Sequence, residues 1–252
     1  MVITEPLSGR GSKGGAERSS LASMTGTVLA VIGILLALGV PLFVEWSRRP
    51  KLMVERGDDA NQRDVDPPWR IVHVKIANLP LRGLLGRWLL RNPATACRVE
   101  ITFKSTSDGS EVQMAGRWSG SPEPLSLVPL PPRVPIAYAK LHPQAGIPDI
   151  QWYFDHTKLP ETLRTDLSAD IDGEVVAAAI KRKGDNSAFG FTSESYAFPD
   201  FCSPELELPD EEYLVTVEAF AGGIRKASQF RLRNTGSAET GLRLELINKD
   251  AD

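Results

Sequence analysis

The chain has 252 residues, 42% of them hydrophobic, with a formal charge of -3 and two cysteines. That length holds one large or two small domains, and the near-neutral charge excludes a global field built for nucleic acid. Nineteen prolines and twenty-one glycines imply many turns, as in β-rich domains rather than helical bundles.

Residues 1–24 read as a flexible polar tail. The run Thr25–Trp46 follows, and Val28–Val44 carries no charge. As a helix, 25–46 would span roughly 33 Å, about one hydrocarbon core. Pro41 lies near one end, where a membrane helix tolerates a kink, and Trp46 falls where an interfacial anchor sits. A cleaved signal peptide is the alternative. The long mixed-charge tail before the run argues against it, as does "EWSRRP" where a small-x-small cleavage site would fall. The expectation is one uncleaved transmembrane helix, in contact with membrane lipid. Arg48, Arg49 and Lys51 crowd its C-terminal end, whereas Arg10, Lys13 and Arg18 stand further off on the other side. Because cations near a span stay inside, a cell-membrane, single-pass protein with a cytoplasmic C-terminal domain is expected.

Residues 47–248 read as one β-sandwich domain, and 249–252 as a tail. "KLMVE" (51–55) is a first short strand, and "GDDANQRDVDPP" is a polar loop. In "WRIVHVKIANL", Val72, Val74 and Ile76 share one face, with Ile71, His73 and Lys75 on the other. In "CRVEITFK", Cys97, Val99, Ile101 and Phe103 alternate with polar residues, which gives one buried and one wet face. "EVVAAAIKRK" and "AFGFTSESYAF" are two further strand candidates. "EYLVTVEAF" and "IRKASQFRLRN" flank "AGG", a tight-hairpin signal, and "GLRLELI" closes the sheet. Strands at this spacing predict an all-β, antiparallel, immunoglobulin-like sandwich behind one N-terminal transmembrane helix. Both cysteines are expected as free thiols, Cys97 in a strand and Cys202 in a loop.

Two segments interrupt the pattern. Proline crowds 121–160, from Pro122 to Pro160, so this excursion should hold neither regular sheet nor helix, with "IQWYF" pinning it to the domain. The second is the short insertion 80–92, "PLRGLLGRWLLRN". Leu81, Leu84, Leu85, Trp88 and Leu89 fall at helical spacing beside Arg82, Arg87 and Arg91, although Gly83 and Gly86 weaken a helix. Such a basic amphipathic turn either packs over an open end of the sandwich or meets a partner protein or an anionic leaflet. These eight residues are the candidate contact site.

Several stretches resemble a group of prokaryotic membrane-tethered β-sandwich proteins of unestablished function. They are "HVKIANL", "RWLLRNPATACRVEITF", "DGSEV", "MAGRWSGSPEP" and "YLVTVEAFAGGIRKASQFRLRN". The resemblance covers most of Lys51–Asn234. It implies an anchored immunoglobulin-like fold in which His73, Asn78, Cys97 and Trp118 are packing signatures, and it assigns no catalytic role.

Motifs of chemistry are sparse. There is no Gly-x-Ser-x-Gly, no phosphate-binding glycine loop, no His-Glu-x-x-His and no Cys-x-x-Cys. His142 and His156 lie near Asp149 and Asp155, but the spacing fits no metal cage. Two acidic loops (Asp58, Asp59, Asn61, Asp64 and Asp66; Asp166, Asp170, Asp172 and Glu174) lack the order of an EF-hand. "IKRKGDN" (180–186) reads as a solubilising edge. The sequence therefore predicts no enzyme, no cofactor, no metal and no nucleic-acid partner. It predicts a protein–protein interaction or scaffolding module at the cytoplasmic face, the alternative being an extracytoplasmic ligand- or calcium-binding module.

Overall fold

The computed structural model describes residues 14–63, 67–129, 150–169, 171–236 and 241–247. The chain divides at Arg49–Pro50 into two units. The first is one helix, α1 (Gly14–Arg48), of 35 residues. It starts before the expected Thr25, because Ala16, Glu17, Leu21 and Ala22 are good helix formers and propagation from an existing helix is far easier than nucleation. Its stretch Ala30–Arg48 is long and apolar enough to cross a membrane.

The second unit is antiparallel β. Its strands are β1 (Leu52–Arg56), β2 (Ala60–Gln62) and β3 (Trp69–Asn78), then β4 (Ala94–Ser105) after a short helix α2 (Gly83–Trp88). β5 (Glu111–Ala115), β6 (Arg117–Trp118), β7 (Leu125–Pro129) and β8 (Ile150–Phe154) precede helix α3 (Leu159–Thr162) and β9 (Thr165–Leu167). β10 (Glu174–Arg182), β11 (Ala188–Gly190), β12 (Glu207–Leu208), β13 (Glu212–Ala221), β14 (Ile224–Asn234) and β15 (Leu242–Leu246) complete it. One sheet runs β1-β3-β10-β11-β12, with β2 on β3 and β6 on β10; the other runs β15-β14-β13-β4-β5, with β9 on β4.

The two sheets close on one core. Leu52, Val54, Val72, Val74, Ile76 and Val176 from the first meet Val99, Ile101, Phe103, Val215, Val217 and Phe230 from the second. The alternation read in β4 is the inward pattern found, and β13 alternates in the same way. Gly222 (φ 53°) and Gly223 (φ 81°) turn β13 into β14, both in the left-handed region that glycine enters without strain.

Four expectations are corrected. The single core expected of one sandwich is joined by another: on the outer face of β3, where Ile71 and His73 are buried, Trp69, Ile71, Leu125, Ile180, Phe191 and Tyr196 form a second apolar cluster. "AFGFTSESYAF" is a strand only over β11; Glu194–Ala197 winds into a 3-10 turn that supplies this cover. The loop after β1 contains the short β2. The proline-dense excursion holds a two-stranded ribbon, β7 on β8, and the helix α3. Proline is tolerated there because Pro129 ends its strand and Pro160 sits in the first turn of α3, where an N–H is not needed. Most of the remaining prolines, with His142 and Asp149, lie outside the described residues, as do residues 1–13 and the tail 249–252.

Of the "IKRK" cations, Lys183 is exposed as an edge would have it, whereas Lys181 and Arg182 are placed differently. Lys181 is buried, donating from Nζ to Asn234 Oδ1 at 2.6 Å, Gly236 O at 3.0 Å and Asn186 O at 3.2 Å. Arg182 pairs with Asp185 and Asp200. The reason is register: β10 is covered on both faces, so Lys181 has no wet side to choose.

Candidate functional site

The 80–92 segment leaves β3 at Asn78 and returns to β4 at Ala94. Asn78, 1% exposed, fastens both ends. Its Oδ1 accepts from Lys51 N at 3.0 Å, and its Nδ2 donates to Asn92 O at 2.9 Å and Leu167 O at 3.2 Å. Leu79 N donates to Lys51 O at 2.9 Å. One buried carboxamide therefore ties the start of β1, the end of the loop and the end of β9 together, across both sheets. It joins three backbone groups that would otherwise need another partner.

Within the loop, Gly83 takes φ +73° before a helix of six residues. Trp88 is 85% exposed and Leu90 72% exposed. Arg82 is exposed; Leu81, Leu89 and Arg91 are half-buried. The side chains of Leu84, Leu85 and Arg87 lie outside the described set. Trp88, from the predicted stripe, faces solvent, and so does Leu90, which helical spacing did not select.

Neighbouring loops converge on the same end of the domain. β4 opens with a bulge in which Ala96 (φ 50°) donates its N–H to Asp166 Oδ1 at 2.7 Å. Arg98 opposes Phe220 in the β4–β13 register, two residues before the Gly222–Gly223 turn. The guanidinium of Arg98 lies 5.1 Å and that of Arg225 5.9 Å from the Phe220 ring centre. With Arg164 these residues line a shallow cleft of about 400 Å³. Glu218 takes one side of Arg225, and Glu100 lies 4.0 Å from Arg98. Five N–H donors on each guanidinium leave most of that capacity to a ligand.

A second, polar cleft of about 450 Å³ opens beside β3, lined by Glu55, Asp58, His73, Lys75, Ser119 and Asp172. His73 Nδ1 lies 2.8 Å from Asp58 O. A carbonyl only accepts, so Nδ1 carries the proton and Nε2 is the acceptor side of the ring. Burial lowers the His73 pKa, against the raising effects of the Asp58 carbonyl and the Asp59 and Asp58 carboxylates. Lys75 meets Asp172 at 2.6 Å, and that hydrogen bond raises the lysine's pKa.

Three of the acidic-loop side chains have partners. Asp59 takes Arg56 at 2.8 Å and Arg70 at 2.7 Å, Asp166 takes the Ala96 N–H, and Asp172 takes Lys75. Asp64, Asp66 and Asp170 lie outside the described residues. Among the described residues, no group of three His, Cys, Asp or Glu side chains could hold a metal ion. Asp155 instead caps a short turn, accepting from Thr157 N at 3.0 Å, and His156 packs edge-on to Phe154.

The remaining signature residues are packing. Cys97 is a free, fully buried thiol whose pKa burial pushes up to about 12. Trp118 is 1% exposed and donates from Nε1 to Leu163 O at 3.3 Å. Sequence reasoning missed the arginine cleft, because its residues come from three separate segments. "RV" after Cys97 and "IRK" after the hairpin were the visible signals. Comparison of the chain with family models, with curated proteins and with solved structures finds no match.

Proposed function

We propose that the chain is a single-pass membrane protein. α1 crosses the bilayer once and carries an immunoglobulin-like β-sandwich at the cytoplasmic face. That domain serves interaction or scaffolding, and its 80–92 segment makes the contact. One observation carries the reading: α1 presents Leu35 at 64% exposure, Leu38 at 63% and Leu42 at 72%, a surface that water does not solvate favourably. The cations Arg48, Arg49 and Lys51 directly after it support a cytoplasmic domain. The fixed ends of the 80–92 loop and its exposed Trp88 support a contact element.

The test is resistance to alkaline extraction combined with thiol labelling by a membrane-impermeant maleimide. The expected result is a chain that stays with the membrane pellet and is unlabelled in intact cells. Half-buried Cys202 is labelled after lysis, and Cys97 only after denaturation. Labelling in intact cells, or thiols that react only after reduction, would refute a cytoplasmic domain. Release by alkali would refute the anchor.

A further inference from the structure

Resting on the anchored reading above, we propose what the 80–92 segment meets: an anionic lipid surface. Arg98, Arg164 and Arg225 around Phe220 form the phosphate-binding cleft, and Trp88 and Leu90 enter the boundary between headgroups and acyl chains.

Strand register places these groups at one end of the domain. Leu52 pairs with Asn78, Ala94 with Leu167 and Phe220 with Arg98, and Asn78 joins the two sheets at that end. It is also the end where the chain enters. Only three residues, Arg49 to Lys51, separate Arg48, the last of α1, from Leu52, the first of β1. The four Cα-to-Cα steps across them span at most about 14 Å. The headgroup layer is itself roughly 5–8 Å deep on each side of the hydrocarbon, so a spanning α1 keeps this end within its reach.

The chemistry is complementary. Arg82, Arg98, Arg164, Arg225 and Lys226 are exposed there. Guanidinium forks bind phosphate oxygens in pairs, and stacking on Phe220 pre-orders two of them. Indole and leucine side chains held in the open favour the membrane interface. Of the acids at this end, Glu218 pairs with Arg225, Asp166 accepts from the Ala96 N–H and Asp172 meets Lys75. A soluble acidic protein would fit the arginines but would not account for the short covalent reach.

The experiment uses the full chain with Cys202→Ser and Leu90→Cys, carrying a solvent-sensitive fluorophore at position 90. It is reconstituted into vesicles of phosphatidylcholine alone or with about one-third phosphatidylglycerol. Alkali-resistant incorporation is checked first. The expected result is a blue-shifted emission, quenched by lipid-borne nitroxide, in the anionic vesicles only and reversed by high salt. Each Arg→Gln change at 98, 164 or 225 lowers the docked-to-undocked ratio about fivefold, and the triple change about a hundredfold. Unchanged melting confirms that the triple variant is folded. Incorporated protein with a wet label in both vesicle types overturns the docking alone, whereas release by alkali overturns the anchored reading. A blue shift that survives the triple change overturns the phosphate cleft. One that appears only when a protein fraction is added overturns the lipid.

Discussion

Replacing Asn234 with alanine tests the buried polar node at the other end of the domain. Asn234 is 0% exposed and Lys181 1%. The amide Oδ1 accepts from Lys181 Nζ at 2.6 Å, and Nδ2 donates to Leu208 O and Pro209 O, both at 2.8 Å. One side chain thus joins β10, the end of β12 and the end of β14. Asn234→Ala removes a hydrogen bond to a charged group, worth about 1.5–3 kcal/mol, and strips two carbonyls of their donor, each about 1–3 kcal/mol if unrelieved. The low ends sum to about 3.5 kcal/mol. At about 2–4 °C per kcal/mol for a domain of this size, Tm should fall by roughly 7–14 °C. Lys181→Met should be milder, because it relieves the burial that holds the lysine pKa below its usual value. The double variant Lys181→Met/Asn234→Leu should lose less than the sum of its parts. Circular dichroism melts of the full chain in detergent measure all of these. A shift under about 2 °C for Asn234→Ala, a larger loss for Lys181→Met, or strict additivity would refute the reasoning.

Two further outcomes follow from the packing. His73 has a folded-state pKa below its ordinary 6.5, chiefly through burial, so below that value the unfolded chain binds the proton more readily. Stability should therefore fall as pH drops beneath about 6.5, and the fall should be shallower in His73→Gln; parallel Tm–pH curves would refute this. A Cβ at Gly116 would lie 2.7 Å from Val176 Cγ1 and 3.1 Å from Val99 Cβ, so Gly116→Ala should destabilise by about 1–3 kcal/mol. Adding Val176→Ala should recover part of that, and an additive loss in denaturant titrations would show that the clash is not the cause.

What the sequence revealed depended on whether a pattern was local. β13 was legible because it alternates over all ten of its residues, and β4 because it alternates from Cys97 to Ser105 with a single wet face; β14, which alternates only towards its end, was legible through the hairpin turn before it. The Gly222–Gly223 turn was legible because only a positive φ at both positions closes so short a connection. The β7–β8 ribbon was hidden: its strands are separated by twenty residues and bordered by prolines, which mark breaks but do not reveal pairing. The second apolar cluster was hidden too, because Phe191 and Tyr196 read as strand when they are cover for one. At the contact segment the helical turn was legible and its outcome was not. Spacing selected Leu89, which is half-buried, and passed over Leu90, which is exposed. A helix that stops at Trp88 cannot impose its period on the residues beyond it.

Antiparallel connectivity explains why charge was the least legible property. Successive strands turn at opposite ends, so residues from alternate loops collect at one end and cancel in any running sum along the chain. Arg82, Arg98, Arg164, Arg225 and Lys226 gather where the chain enters. Asp108, Glu207, Asp210, Glu211 and Glu212 gather where Lys181 and Asn234 lie buried: Glu212 opposes Arg233 beside Asn234, and Ser107 bridges to Glu211. A net charge of -3 thus conceals an uneven distribution along the strand direction, in which Asp166, Asp172, Glu174 and Glu218 offset part of the first group and Lys104, Lys181, Arg182 and Arg233 part of the second. Beside an anionic bilayer such a distribution acts as a torque as well as an attraction, because one end is drawn to the headgroups while the other is repelled. Electrostatic orientation falls off within a Debye length, about 8 Å at physiological salt, so it works only on a domain already held close. The three-residue passage from α1 into β1 supplies that proximity if α1 spans. A longer linker would let the same arginines drift out of range, and the uneven charge would then orient nothing.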